Sequence, residues 1–426
     1  MTDPQTKRAV LAALGREPEF AGLLNFPPVS TRAGRNLVRW LDRSGLALVF
    51  LGQLRRFGRS TRLSDEWLQC LGDRLARNID RTQDMLQEAQ RIQSGFRGHG
   101  VAAVMLKGFT LWPDFCDDSC LRHQVDFDYL VAPQSVVPAR RALQELGYHV
   151  AQLNESGESR FYTLSTHIPS SNDDLYLKQH QRQVELHTSI WENCDWVAAT
   201  PPDDCLENAQ PQLIDGVEHL SLSLEDKFVF HVLHAFRHSF GNWSRVSWLY
   251  EVSWCMQKHY ENEALWDRVI KRAGGVALTK SMFAFVLGLV NRLFHAQVPR
   301  ALESYAVNLM SLPLRTWLDS FACDWVISDG PGRLSNLFLT PEFIPDRRVR
   351  ARYWKKRLFP CKLEATIASN TTAKAGQFLE LHATRLRYLA HRINTHIQDL
   401  AVLPMQQFRW KRALEASRRS NFGQIC

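Results

Sequence analysis

Two aspartates one residue apart, Asp126 and Asp128, lie in a run where polar and large apolar side chains alternate: Val125, Asp126, Phe127, Asp128, Tyr129, Leu130, Val131. Alternate side chains of a strand share a face. The run therefore predicts a strand with both carboxylates on one side and Phe127 and Tyr129 in the opposite layer. At a rise of about 3.3 Å per residue the carboxylates are about 7 Å apart, and they repel unless positive charge sits between them. A divalent cation answers that need. Hard carboxylate oxygens suit Mg²⁺, with Mn²⁺ as the alternative, and such ions also take oxygens from substrate phosphates. A second alternating run, Gln183-Val184-Glu185-Leu186-His187, places Glu185 and His187 on one face. If the two strands are neighbours, Asp126, Asp128 and Glu185 form a three-carboxylate cluster. Such a cluster can hold two metals about 3.5–4 Å apart and clamp an in-line phosphoryl displacement. One ion would orient a triphosphate and the other would activate an attacking hydroxyl.

Positive groups lie in complementary places. Lys107-Gly108 follows the short apolar run 101–106. Gly108 lets backbone approach a ligand closely and its amide can donate to a phosphate oxygen, while Lys107 can balance phosphate charge. Arg122 can pair bidentately with a phosphate or with one of the aspartates. Ser223-Leu224-Glu225-Asp226 resembles a capping box opening a helix. On that helix Val229, Val232, Leu233 and Phe236 form one stripe, and Lys227, His231, His234 and His238 fall on the other side. The polar stripe can face a cleft and hold phosphates, with His231 and His234 as a weak metal pair. It can also be a solvated face, or histidines bonded at a helix junction.

The elements that must position these groups follow from pattern. Residues 67–93 carry apolar positions at helical spacing. Residues 101–106 and 184–190 read as short buried strands, and 133–146 as a helix closed by Gly147. The organisation expected is a helical region over 1–97, a mixed block over 98–200, a helical block over 217–327 and a basic helical region over 346–426. Turn-rich stretches at 199–216 and 328–345 separate them. Trp243, Trp248, Tyr250 and Trp254 recur at intervals that favour core packing over base stacking. The fold class is α+β.

Composition narrows the function classes. The chain has 426 residues, 45% of them hydrophobic and 23% charged, which excludes disordered and fibrous proteins. Net charge is +8, but residues 346–426 hold 17 Lys and Arg against 5 Asp and Glu. That tail of +12 can meet nucleic acid, an anionic surface or an acidic partner. Nine scattered cysteines do not form a disulfide scaffold, and Cys116, Cys120 and His123 lack a fourth zinc ligand. Residues 282–290 read as a buried helix, and no longer apolar run suggests a membrane span. Residues 1–15 lack the apolar core of a signal peptide, so the expected location is cytoplasmic.

Together, Leu106-Lys107-Gly108, Arg122, Asp126-Phe127-Asp128-Tyr129-Leu130-Val131, Gly147-Tyr148 and Val184-Glu185-Leu186-His187 resemble the uncharacterised bacterial nucleotidyltransferase family of the DNA polymerase β superfamily. The resemblance is best over 101–191 and continues through 220–258. It implies a polymerase β-like nucleotidyltransferase core, a small mixed sheet with flanking helices, over 98–200, with 217–327 closing the cleft. It also implies transfer of an NMP from an NTP to an acceptor hydroxyl with release of pyrophosphate. Asp126 and Asp128 would bind Mg²⁺ and Glu185 would help activate the acceptor. The usual Gly-Ser phosphate turn is Lys107-Gly108-Phe109-Thr110 here, so the serine's contact would pass to Thr110 or Lys107. Two other functions fit the same residues: a toxin-like enzyme that modifies tRNA through the basic tail, and a catalytically degenerate binding or assembly protein.

Overall fold

A 34-residue helix, Asp65–Gly98, forms the backbone of the first half of the molecule. Asp65 and Glu66 in its first turn and Arg97 in its last complement the helix dipole. Trp67, Leu71, Leu75, Thr82, Met85, Ala89, Ile92 and Phe96 are buried along it, at the three- and four-residue spacing that keeps one face inward. The part of that face from Met85 to Phe96 packs on a sheet. The structure is a computed structural model that describes residues 4–153, 159–163, 175–177, 182–191, 202–240, 245–328, 333–359 and 375–423.

The sheet has seven strands: β1 (Ala103–Met105), β2 (Asp126–Val131), β3 (Tyr148–Leu153), β4 (Ser159–Thr163), β5 (Gln183–His187), β6 (Gln210–Ile214) and β7 (Val217–Ser221). Their spatial order is β3-β4-β5-β2-β1-β7-β6. It is mixed: β2 runs parallel to β5 and β1 parallel to β7, while the other neighbours are antiparallel. The period-2 reading of the two acidic runs holds. Phe127, Tyr129, Val131, Val184 and Leu186 enter one apolar layer with Ile92, Phe96, Ala139, Ala142 and Leu143 from the helices below. The opposite face of the sheet carries Asp126, Asp128, Glu185 and His187. Truncating Phe127 to Ala in that layer would cost about 3–5 kcal/mol. The fold is therefore α+β, a mixed sheet flanked by helices.

Several elements differ from the sequence reading. Residues 210–221, expected as the end of a loop and the start of a helical block, are the β6–β7 hairpin. Asp215 and Gly216 both have positive φ at its turn, the geometry that a two-residue hairpin requires. Pro211 suggested a loop, but β6 is an edge strand, where a missing N–H is tolerated. In the 133–146 segment, a 3₁₀ turn at Pro133–Ser135 precedes the helix Val136–Glu145. The 328–345 stretch contains a 3₁₀ segment, Arg333–Leu339, and a short helix, Thr340–Phe343. Trp243, residues 199–201 and 330–332, and residues 360–374 and 424–426 of the basic tail lie outside the described residues.

The chain divides into two compact units: residues 1–193 with 199–309, and residues 310–426 with 194–198. In the first, the helix Ala277–Phe294 is long and apolar enough to cross a membrane by length and composition, yet 67% of it is buried within the protein. Residues 282–290 are fully packed, as expected of a core helix. In the second, Leu312–Ile327 packs against the helix Ala375–Gly423, with Thr316 bonded to Ser417 and Trp410 stacked on Phe338. The helix Arg347–Leu358 in the same unit has seven basic residues and no acidic one.

Candidate active site

Register brings the acidic side chains together. In the parallel β2–β5 pair, Asp128 is the direct partner of Glu185, Asp126 of Gln183 and Leu130 of His187. Directly paired side chains on one face lie about 5 Å apart at Cβ. Asp128, Glu185 and His187 each offer a ligand atom, and the three atoms lie within 4.8 Å of one another. His187 Nε2 is 3.2 Å from Asp128 Oδ1 and 3.6 Å from Glu185 Oε2. Gln183 Nε2 donates to the other Glu185 oxygen. Asp128 is 4% exposed, and Glu185 and His187 are half-buried.

Lys107 meets the same face. Its Nζ is 3.0 Å from Asp128 Oδ2 and 3.2 Å from Asp126 Oδ2. Burial pushes the Asp128 carboxyl up, but Lys107 and the His187 hydrogen bond outweigh burial and hold it below the usual carboxylate range. Burial likewise disfavours the Lys107 ammonium, and Asp126, Asp128 and Glu185 together overcome it and raise its pKa. Both groups are therefore ionised at neutral pH. The turn that carries Lys107 is tied down on two sides. Leu106 N donates to Asp128 O at 2.9 Å, joining the end of β1 to β2. Gly108 has φ +84°, and a Cβ there would lie 2.4 Å from Gln124 Nε2. Gln124 Nε2 in turn donates to Asp126 O at 2.9 Å.

The other residues singled out by sequence have partners of their own. Thr110 is fully buried, and its hydroxyl donates to Met105 O and Lys107 O, each at 3.4 Å. Arg122 Nε lies 2.9 Å from Glu251 Oε1, and His231 Nε2 lies 2.6 Å from Glu251 Oε2. Arg122 thus pairs with a carboxylate of the helix Val246–Lys258 rather than with an aspartate of β2. Burial raises the Glu251 carboxyl, but Arg122 and His231 prevail and bring it to about 2. Lys227 Nζ donates to Gln212 Oε1 at 2.9 Å. Burial lowers its pKa to about 8, against the attraction of Asp114. His234 and His238 gather on Trp248, with ring centroids 4.5 and 4.6 Å from the indole. Burial, then the nearby charges of His238, Lys107 and His231, push the His234 ring well below its usual pKa. It is neutral and within the field of Lys107. The polar stripe of the helix Leu224–Phe240 therefore divides between partners. Its opposite stripe is core as expected, and Asp226 N is capped by Ser223 Oγ at 3.2 Å.

Two buried arginines hold the acidic strands in place. Arg182, just before β5, bridges Asp84 and Glu88 of the Asp65–Gly98 helix, and Tyr148 also donates to Glu88. Arg81 donates to Gln124 O and Leu177 O at 3.2–3.3 and 2.9 Å. These anchors sit 94 and 43 residues from their partners, beyond any spacing rule. The place of His187 was visible in its alternation with Glu185.

The donor set fits a divalent cation. It combines an ionised carboxylate, a second carboxylate oxygen and an imidazole nitrogen, all on one face of the sheet. A mixed sheet flanked by helices, with Asp-x-Asp on one strand and a third carboxylate on its parallel neighbour, defines a nucleotidyltransferase core of the polymerase β-like type. The model of an uncharacterised nucleotidyltransferase family matches residues 32–295, more than half of the chain, and the chain belongs to that family. No curated protein and no solved structure matches it.

Proposed function

We propose that the protein transfers an NMP from an NTP to an acceptor hydroxyl and releases pyrophosphate, using Mg²⁺ or Mn²⁺ held by Asp128, Glu185 and His187. The observation that supports this most directly is the parallel register that sets Asp128 beside Glu185. A bound divalent ion would neutralise phosphate charge and make the acceptor hydroxyl easier to deprotonate. Lys107 adds a fixed positive charge beside the phosphates, on a turn that Gly108 and Gln124 hold to β2. Glu185 accepts the hydroxyl proton. The acceptor oxygen bonds to the α-phosphorus as the bond to the bridging oxygen breaks, and pyrophosphate leaves with the electron pair. Positioning and charge neutralisation supply most of the rate. Arg122, His231 and Lys227 act in this reading by bracing the helices and the β6 strand around the sheet, through Glu251 and Gln212.

Asp128→Ala and Glu185→Ala should abolish transfer of label from α-labelled NTPs into any fraction of a cell extract, with circular dichroism unchanged. Full activity in either variant would refute the assignment. The fraction labelled, whether protein, RNA or small molecule, identifies the acceptor class. The helix Arg347–Leu358, whose charged residues are all basic, favours a second reading, in which the acceptor is an RNA docked by its backbone. Binding of tRNA would then weaken steeply with salt, and salt-insensitive or absent binding would exclude it.

A further inference from the structure

Resting on that proposal, we infer that this enzyme uses a single divalent ion and that the Lys107 ammonium takes the place of a second. A two-ion site holds its cations about 3.5–4 Å apart, so both would have to fit among the Asp126, Asp128 and Glu185 carboxylates. Asp128 is the central carboxylate here, and its two oxygens face different partners. Oδ1 is turned to His187 Nε2 at 3.2 Å, on the side of Glu185. Oδ2 lies 3.0 Å from Lys107 Nζ, which also reaches Asp126 Oδ2 at 3.2 Å. The ammonium thus bridges the two aspartates, and a second divalent cation set against the same oxygens would be repelled by it.

Lys107 is built into this position. Its side chain is 11% exposed, and its turn is joined to β2 through Leu106 N and Asp128 O. Gln124 lies over Gly108 and bonds Asp126 O. The remaining donors, Asp128 Oδ1, Glu185 and His187, mix oxygen with nitrogen, and their ligand atoms lie within 4.8 Å of one another, room for one ion. A lysine charge cannot dissociate into solution, so the chain itself carries one of the two cationic groups of the site.

The test uses the full-length protein and Mn²⁺ alone, counted by the paramagnetic resonance of unbound ion. Wild type should bind one Mn²⁺, with nitrogen hyperfine coupling from His187 that His187→Ala removes. Asp126→Asn should keep that ion at unchanged affinity, while Asp128→Asn should weaken it by about tenfold or more. Lys107→Ala, folded by circular dichroism, should gain a second, weaker ion. Two ions on wild type, loss of Mn²⁺ from Asp126→Asn as severe as from Asp128→Asn, or a single ion on folded Lys107→Ala would each overturn the inference and leave the proposed reaction standing. Failure of folded wild type to bind Mn²⁺ would overturn both.

Discussion

Gly108→Ala tests how the Lys107 turn is held. The residue has φ +84°, where an alanine costs about 1–2 kcal/mol. The new Cβ would also fall 2.4 Å from Gln124 Nε2 and 2.8 Å from its Cδ and Oε1. These atoms end a side chain, so Gln124 can give way. It is buried, however, and moving it breaks its 2.9 Å bond to Asp126 O, worth about 1 kcal/mol. The single substitution should therefore cost about 2–3 kcal/mol in all. Gln124→Ala alone removes the same hydrogen bond. The double variant pays the backbone strain and loses the bond once, so its cost should fall short of the sum of the singles by about 1 kcal/mol. Urea unfolding of the four proteins, followed by circular dichroism, measures the cycle. The transfer assay on the same four should show all three variants slowed, because Gln124 holds Asp126 in none of them. Additive costs, within about 0.3 kcal/mol, would refute the idea that Gln124 and Gly108 form one fastening.

Glu251 drops from an ordinary 4.5 to about 2, a difference of about 3 kcal/mol at 1.36 kcal/mol per unit. Because the folded pKa is the lower one, this stability is present above about 4.5 and is lost as pH falls toward about 2. Glu251→Gln should melt well below wild type at pH 7, and the gap should close across that window; a constant gap in melting scans would count against the Arg122–Glu251–His231 network. Lys227 has the opposite sign. Its pKa falls from 10.5 to about 8, so the unfolded chain binds the extra proton and wild-type stability should rise with pH between those values. Lys227→Met should lack that rise and be no less stable than wild type at pH 7; a parallel pH profile for the two would exclude a buried, strained ammonium.

The central strands were legible because each writes its burial in a period of two. Phe127, Tyr129, Val184 and Leu186 point one way and the acidic residues the other, and both runs are long enough to show it. Their adjacency was a supposition, since pairing across more than fifty residues has no local signal. The β6–β7 hairpin was hidden because an edge strand bearing Pro211 has little apolar pattern. Arg122 offered a charge four residues from Asp126, and only the packing of the Val246–Lys258 helix gives that charge to Glu251. The same holds for Lys227 and His231. A cation in a helical stripe shows where it points, whereas the partner comes from another part of the chain. Lys107 lies nineteen residues before Asp126, and its bridging contact depends on how β1 joins β2, which neither segment encodes alone.

The parallel pairing of β2 with β5 bears on how the protein comes to life. A parallel pair cannot close through a tight turn, and contacts between distant segments form slowly because a large loop must first be confined. Asp128 is synthesised long before Glu185 and His187, and β4 must find its place beside β5 as well. During synthesis the nascent polypeptide therefore carries one side of its reaction centre without the other, and catalysis begins only once the sheet has been completed.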